Sequence, residues 1–110
     1  YDVVVDLRRT SPTFGQYVGI ELSDENKKQL FVPRGFAHGF AVLSETAVFQ
    51  YKCDNFYAPQ HDGGISILDE SLGICWKIPT GKAILSEKDT KHPLLKDFES
   101  PFLYGEDLYK

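Results

Sequence analysis

At 110 residues, with 42% hydrophobic and 25% charged residues, the chain has the size and composition of one globular domain and no room for a second. No window approaches the roughly 18 apolar residues of a membrane span, so the sequence reads as a soluble protein rather than a membrane one. A formal net charge of -4 disfavours a nucleic-acid or polyphosphate partner unless basic residues converge locally.

The first element expected is a strand over Val3 to Leu7. The chain contains no Met and opens directly on this strand pattern with no signal peptide ahead of it, so further sequence before Tyr1 is expected. Ser11-Pro12-Thr13 supplies a turn, and Gly15 to Leu22 reads as a second strand. A polar stretch, Ser23 to Lys28, has the composition of a single helical turn before a short strand at Leu30 to Pro33. Strands at Phe36 to Leu43 and Thr46 to Cys53 follow, and the one persuasive helical stretch lies near Pro93 to Phe98. Short, evenly spaced strands with turns between them argue for an antiparallel sandwich or barrel rather than βαβ units. Cys53 and Cys75 form no CxxC and no dense framework, which suits reduced thiols in a cytoplasmic protein.

Period-2 alternation in Thr46 to Cys53 puts Ala47, Phe49, Tyr51 and Cys53 on an apolar face, with Thr46, Val48, Gln50 and Lys52 opposite. Tyr51 is thus expected to point inward, with a hydroxyl that needs a partner. His38 shares a face with Phe40 and Val42 by the same rule. Pro33-Arg34-Gly35-Phe36-Ala37-His38 has the P-x-G-x-x-H spacing of the second half of the cupin signature, a turn into a strand that aims a histidine at a barrel interior. Such a histidine binds a metal in many cupins. The other usual ligands, an H-x-H and a downstream Glu, would lie before Tyr1, and a structural barrel-lining histidine is the competing reading.

Neighbouring blocks extend the likeness. Val4 to Arg8, Ser11 to Gly15, Phe31 to Phe40, Tyr51 to Pro59, Leu72 to Trp76 and Ile84 to Asp89 together, in order, resemble the dTDP-4-dehydrorhamnose 3,5-epimerases. The resemblance implies an all-β cupin-type antiparallel barrel (jelly roll), incomplete at its N-terminus and ending in a short helix, with residues 1–110 forming one cupin domain, the C-terminal portion of a longer epimerase. It implies a metal-independent isomerase without a cofactor. The substrate would be a dTDP-linked 4-keto-6-deoxy sugar, inverted at the two carbons flanking its keto group on the way to dTDP-L-rhamnose and thence lipopolysaccharide and other cell-surface polysaccharide. Carried over by the resemblance, Tyr51 is the proton donor and Asp89 the carboxylate that orients the base. Tyr57 stacks on the thymine ring, His38 and Asp62 contact the nucleotide sugar, with Asp62 standing where the family commonly has Glu, and Lys88 lies near the diphosphate.

Each assignment has a plainer rival. Ser86-x-x-Asp89 reads equally well as a helix N-terminal cap, Lys88 as a solvated surface lysine, Tyr57 as a turn aromatic before Pro59 and Tyr51 as a core aromatic. The family's R-G-x-H segment, which carries the base, and its enolate-stabilising lysine are not found in this sequence, and His61 and His92 do not match them. These 110 residues are therefore expected to be inactive alone. Alternatives are a non-catalytic sugar-nucleotide-binding cupin, a 3- or 5-epimerase or 3,4-ketoisomerase of another deoxysugar pathway, and a metal-dependent cupin. Family members pair as homodimers through N-terminal strands, so a homodimer is implied for the longer protein.

Overall fold

A computed structural model describes residues 1–79, 81 and 83–109. Among them, three strands form one antiparallel sheet: β1 (Asp2–Asp6), β2 (Tyr17–Ile20) and β3 (Phe36–Phe40), in the order β2-β1-β3. The rest is loop and short 3-10 turns, in keeping with the expected all-β class.

All five residues of β1 are buried, as its central place and Val-rich sequence require. The register sets Val3 opposite both Gly19 of β2 and Gly39 of β3. Neither glycine is there for backbone freedom. Each lacks a side chain because another occupies the space: a Cβ on Gly39 would lie 3.2 Å from the Trp76 ring and one on Gly19 2.0 Å from the Tyr1 hydroxyl. Val3, Val5 and Leu7 thus meet Ala41, Ile65, Leu72 and Trp76 in the core, with Tyr17, Ala37, Leu95, Phe98 and Phe102 packed around it. The other face of the sheet carries Asp2, Val4 and Asp6 opposite Phe40, His38 and Phe36. Directly paired residues of antiparallel strands share a face, so His38 lies with Phe36 and Phe40, as the alternation predicted.

Loops are fastened to the sheet by buried polar groups. Asp6, 2% exposed, accepts hydrogen bonds from Arg8 Nε (2.9 Å), Ser11 Oγ (2.6 Å) and Thr13 Oγ1 (2.6 Å), closing the predicted Ser11-Pro12-Thr13 turn. Asp69 accepts from Ser71 N at 2.9 Å and Leu95 N at 2.7 Å, tying the turn Glu70–Leu72 to the turn Leu95–Asp97. Ser23 and Asn26 cap each other, Asn26 N donating to Ser23 Oγ (3.0 Å) and Ser23 N to Asn26 Oδ1 (3.1 Å), while Lys27 N closes a single helical turn on Ser23 O at 2.9 Å.

Three expectations change. The helix near Pro93 to Phe98 is a single 3-10 turn, Leu95–Asp97, because Leu94 before it and Phe98 after it are both extended. Leu30 to Pro33 is not a strand. Nor is Thr46 to Cys53: among the described residues no backbone-to-backbone hydrogen bond involves positions 42 to 57, and a strand without a partner strand is not stable. Nor does burial follow the expected alternation: every position from 42 to 57 is exposed, Val48 at 98% and Tyr51 at 70%, although Phe49 stacks on Phe40 of the sheet.

Candidate active site

The open face of the sheet gathers the first group of candidate residues. Gly35, at φ +94, turns the chain into β3, which projects His38 from this face. The His38 Nε2–H donates to Asp2 Oδ1 at the start of β1. A carboxylate only accepts, so this bond leaves Nδ1 directed away from Asp2. Asp2 is buried, whereas the His38 side chain keeps 30% of its surface, so the carboxylate orients a ring that solutes can still reach. Phe49 stacks on Phe40 with centroids 4.2 Å apart, lies 6.0 Å from the His38 ring and meets Tyr51 at 5.3 Å. His38, Phe49 and Tyr51 therefore form one aromatic row. Tyr51 is 70% exposed, and its hydroxyl makes no hydrogen bond among the described residues, so the expected buried, partnered phenol is replaced by a surface one.

A second group forms where the 3-10 turns Pro59–His61 and Lys88–Thr90 meet. Lys88 Nζ donates to Asp62 Oδ2 at 3.0 Å. That hydrogen bond and the Asp62 charge, reinforced by Asp89 and Tyr57, raise the pKa of Lys88 and keep it cationic. Tyr57, 90% exposed, Asp62, Lys88 and Asp89 thus share one electrostatic neighbourhood. Asp89 Oδ1 lies 3.5 Å from His92 Nε2, and its N–H meets Ser86 Oγ at 3.3 Å, as the capping reading of Ser86-x-x-Asp89 had it. The His92 ring covers Gly64, where a Cβ would lie 2.9 Å from Nε2. No hydrogen bond or ion pair among the described residues joins Tyr51 to Asp89.

The geometry is a histidine held by a carboxylate and linked through Phe49 to an exposed tyrosine on an accessible face, with a second group in which Lys88 pairs with Asp62 near an exposed Tyr57. The model of one protein family, described as dTDP-4-dehydrorhamnose 3,5-epimerase, matches residues 1–97. This chain belongs to the dTDP-4-dehydrorhamnose 3,5-epimerase family. It is 53% identical over 98 residues to the dTDP-4-dehydrorhamnose 3,5-epimerase of Salmonella typhimurium, an alignment covering 86% of this chain and 51% of that protein. It is 44% identical over 98 residues to that of Methanothermobacter thermautotrophicus, covering 88% of this chain and 53% of the relative. The crystal structure of the epimerase from Elizabethkingia anophelis, 61% identical, superposes with a TM-score of 0.83 over 87% of this chain and 53% of its own. The dTDP-6-deoxy-D-glucose-3,5-epimerase of Legionella pneumophila, solved in complex with dTDP-4-keto-L-rhamnose, is 48% identical with a TM-score of 0.86, covering 93% and 54%. The chain thus spans about half the length of the curated relatives it matches.

The likeness to the solved 3,5-epimerases makes the fold cupin-type, as expected. In this member of the 3,5-epimerase family, sequence reasoning marked His38 and Tyr51 but missed Asp2. An acidic residue two positions before Val4, which pairs with His38 across the strands, was the available signal. His92, which does not match the family's missing motif, sits against Asp89. Among the described residues no helix is long and apolar enough to cross a membrane.

Proposed function

We propose that this chain carries the proton-donor and nucleotide-binding part of a 3,5-epimerase that converts dTDP-4-dehydro-6-deoxy-D-glucose to dTDP-4-dehydro-L-rhamnose. The single observation that carries the reading is the row His38–Phe49–Tyr51 on an open sheet face, with His38 held by Asp2. A carbon beside a ketone is inverted by removing its proton, holding the enolate and reprotonating from the other side, so an acid must stand across the ring from the base. Tyr51, exposed and free to donate, is that acid. His38 contacts the sugar, with its ring presented by the buried carboxylate. Asp89 orients the base, which belongs to an R-G-x-H segment that these residues do not contain.

Tyr57 offers a rigid face to thymine at low entropic cost, and Lys88 offers charge to the diphosphate. Asp62 already pairs with Lys88, so it moderates that charge while fixing where it sits. The same reading places the protein in the cytoplasm, as a homodimer.

The test is solvent deuterium incorporation into the 4-keto sugar. The chain alone is expected to incorporate none. A chimera in which the part of the Salmonella relative that precedes its aligned segment is joined ahead of Tyr1 is expected to exchange at both carbons. Tyr51→Phe in that chimera should slow turnover by about 10²- to 10⁴-fold, the usual contribution of a positioned general acid. A Tyr51→Phe chimera as fast as its parent would overturn the assignment.

A further inference from the structure

We infer that Arg34 is a positioning residue that couples the C-terminal tail to the placement of Tyr51 against Phe49 in the row that ends at His38. The proposal rests on the reading of Tyr51 and His38 as parts of one site and adds to it what sets their relative position.

Arg34 precedes Gly35 in the turn that launches β3, and its side chain touches two other segments. Its Nε donates to Asp54 Oδ2 at 3.0 Å and a terminal nitrogen donates to the Asp54 carbonyl at 3.4 Å, holding the end of the segment that bears Tyr51. The other terminal nitrogen donates to the Leu108 carbonyl at 2.9 Å, the Arg34 backbone N–H donates to the Tyr109 hydroxyl at 3.0 Å, and the guanidinium lies 4.9 Å from the centre of the Tyr109 ring. A planar fork that bonds carboxylate and carbonyls on opposite sides while stacking on an aromatic ring is a role lysine cannot reproduce.

The two segments it joins have little else to hold them. Positions 42 to 57 make no backbone-to-backbone hydrogen bond among the described residues, so the Asp54 contacts are among the few polar tethers of the Tyr51 segment. The tail lies beyond residue 97, where the family match ends. It is nevertheless built into the fold: Arg9 N donates to Phe102 O and Tyr104 N to Arg9 O, both at 2.9 Å, and Leu108 packs 2.9 Å from where a Gly35 Cβ would be. Tail, β3 turn and Tyr51 segment meet at one side chain. An exposed ion pair of this kind contributes little to global stability, so the effect of breaking it is local.

The experiment follows the nuclear Overhauser contact between the Phe49 and Tyr51 rings in the 110-residue chain. Tyr109→Ala, at an exposed position of the tail, is expected to weaken that contact while amide exchange of β1 and β3 stays as in the native chain. In an Arg34→Met background, where the contact is already lost, Tyr109→Ala is expected to change nothing further. Arg34→Lys, which keeps the charge without the fork, should reproduce the Arg34→Met loss and stands in for it if that variant does not fold. A Tyr109→Ala chain with the native ring contact overturns the proposal, as does a tail effect that persists without Arg34 or a native chain with no Phe49–Tyr51 contact. Titration of the native chain with dTDP reports separately on the functional reading. Failure to bind dTDP with the ring contacts behaving as expected would reject that reading and leave the coupling standing.

Discussion

Asp6 shows how a charge can be buried in a sheet. Burial by itself pushes its pKa upward, but the hydrogen bonds from Arg8, Ser11 and Thr13 outweigh it and hold the carboxyl well below the usual carboxylate range. Because the folded value lies below the ordinary 3.8, the stabilisation is fully present above that pH and is lost as pH falls through the folded value. Asp6→Ala leaves Arg8 and two hydroxyls without their acceptor. It should cost about 3 kcal/mol in urea unfolding at neutral pH and flatten the loss of stability below about pH 4. At Lys88 the reverse holds. Its partner Asp62 is exposed, so Lys88→Ala should change stability by less than about 1 kcal/mol by the same measurement, while weakening dTDP binding measured by calorimetry.

Elements in this chain are decided by whether a partner exists. Gly35 lies at φ +94 with Arg8 Cγ 2.8 Å from where a Cβ would be, so Gly35→Ala strains the turn into β3 and displaces Arg8 at once. A cost of about 2 kcal/mol is expected from thermal unfolding, with the His38 ring resonances shifted because β3 carries that residue. β1 was legible from its Val-rich run, and β2 and β3 from the turn residues that precede them. Thr46 to Cys53 has equally good alternation and no strand, since alternation reports a face but not a neighbour to bond with. Near Pro93 the sequence looked helical because helix propensity cannot register that Leu94 and Phe98, on either side of Leu95–Asp97, are extended.

Across the whole molecule, the sheet divides the labour between its faces: one buries Val3, Val5 and Leu7 under Trp76, and the other presents His38. His38, Tyr51, Tyr57, Asp62, Lys88 and Asp89 were singled out as candidates only through several sequence blocks in register. What they touch was not. Asp2 beside His38 depends on strand pairing, and the Asp62–Lys88 pair depends on two turns meeting across 26 positions. The most direct test of the site as a unit is titration of the chain with the dTDP-linked 4-keto sugar, followed by nuclear magnetic resonance at His38, Tyr51, Tyr57 and Lys88. All four are predicted to shift together and saturate at one ligand concentration; shifts confined to Tyr57 and Lys88, with the aromatic row beside His38 unmoved, would contradict the account.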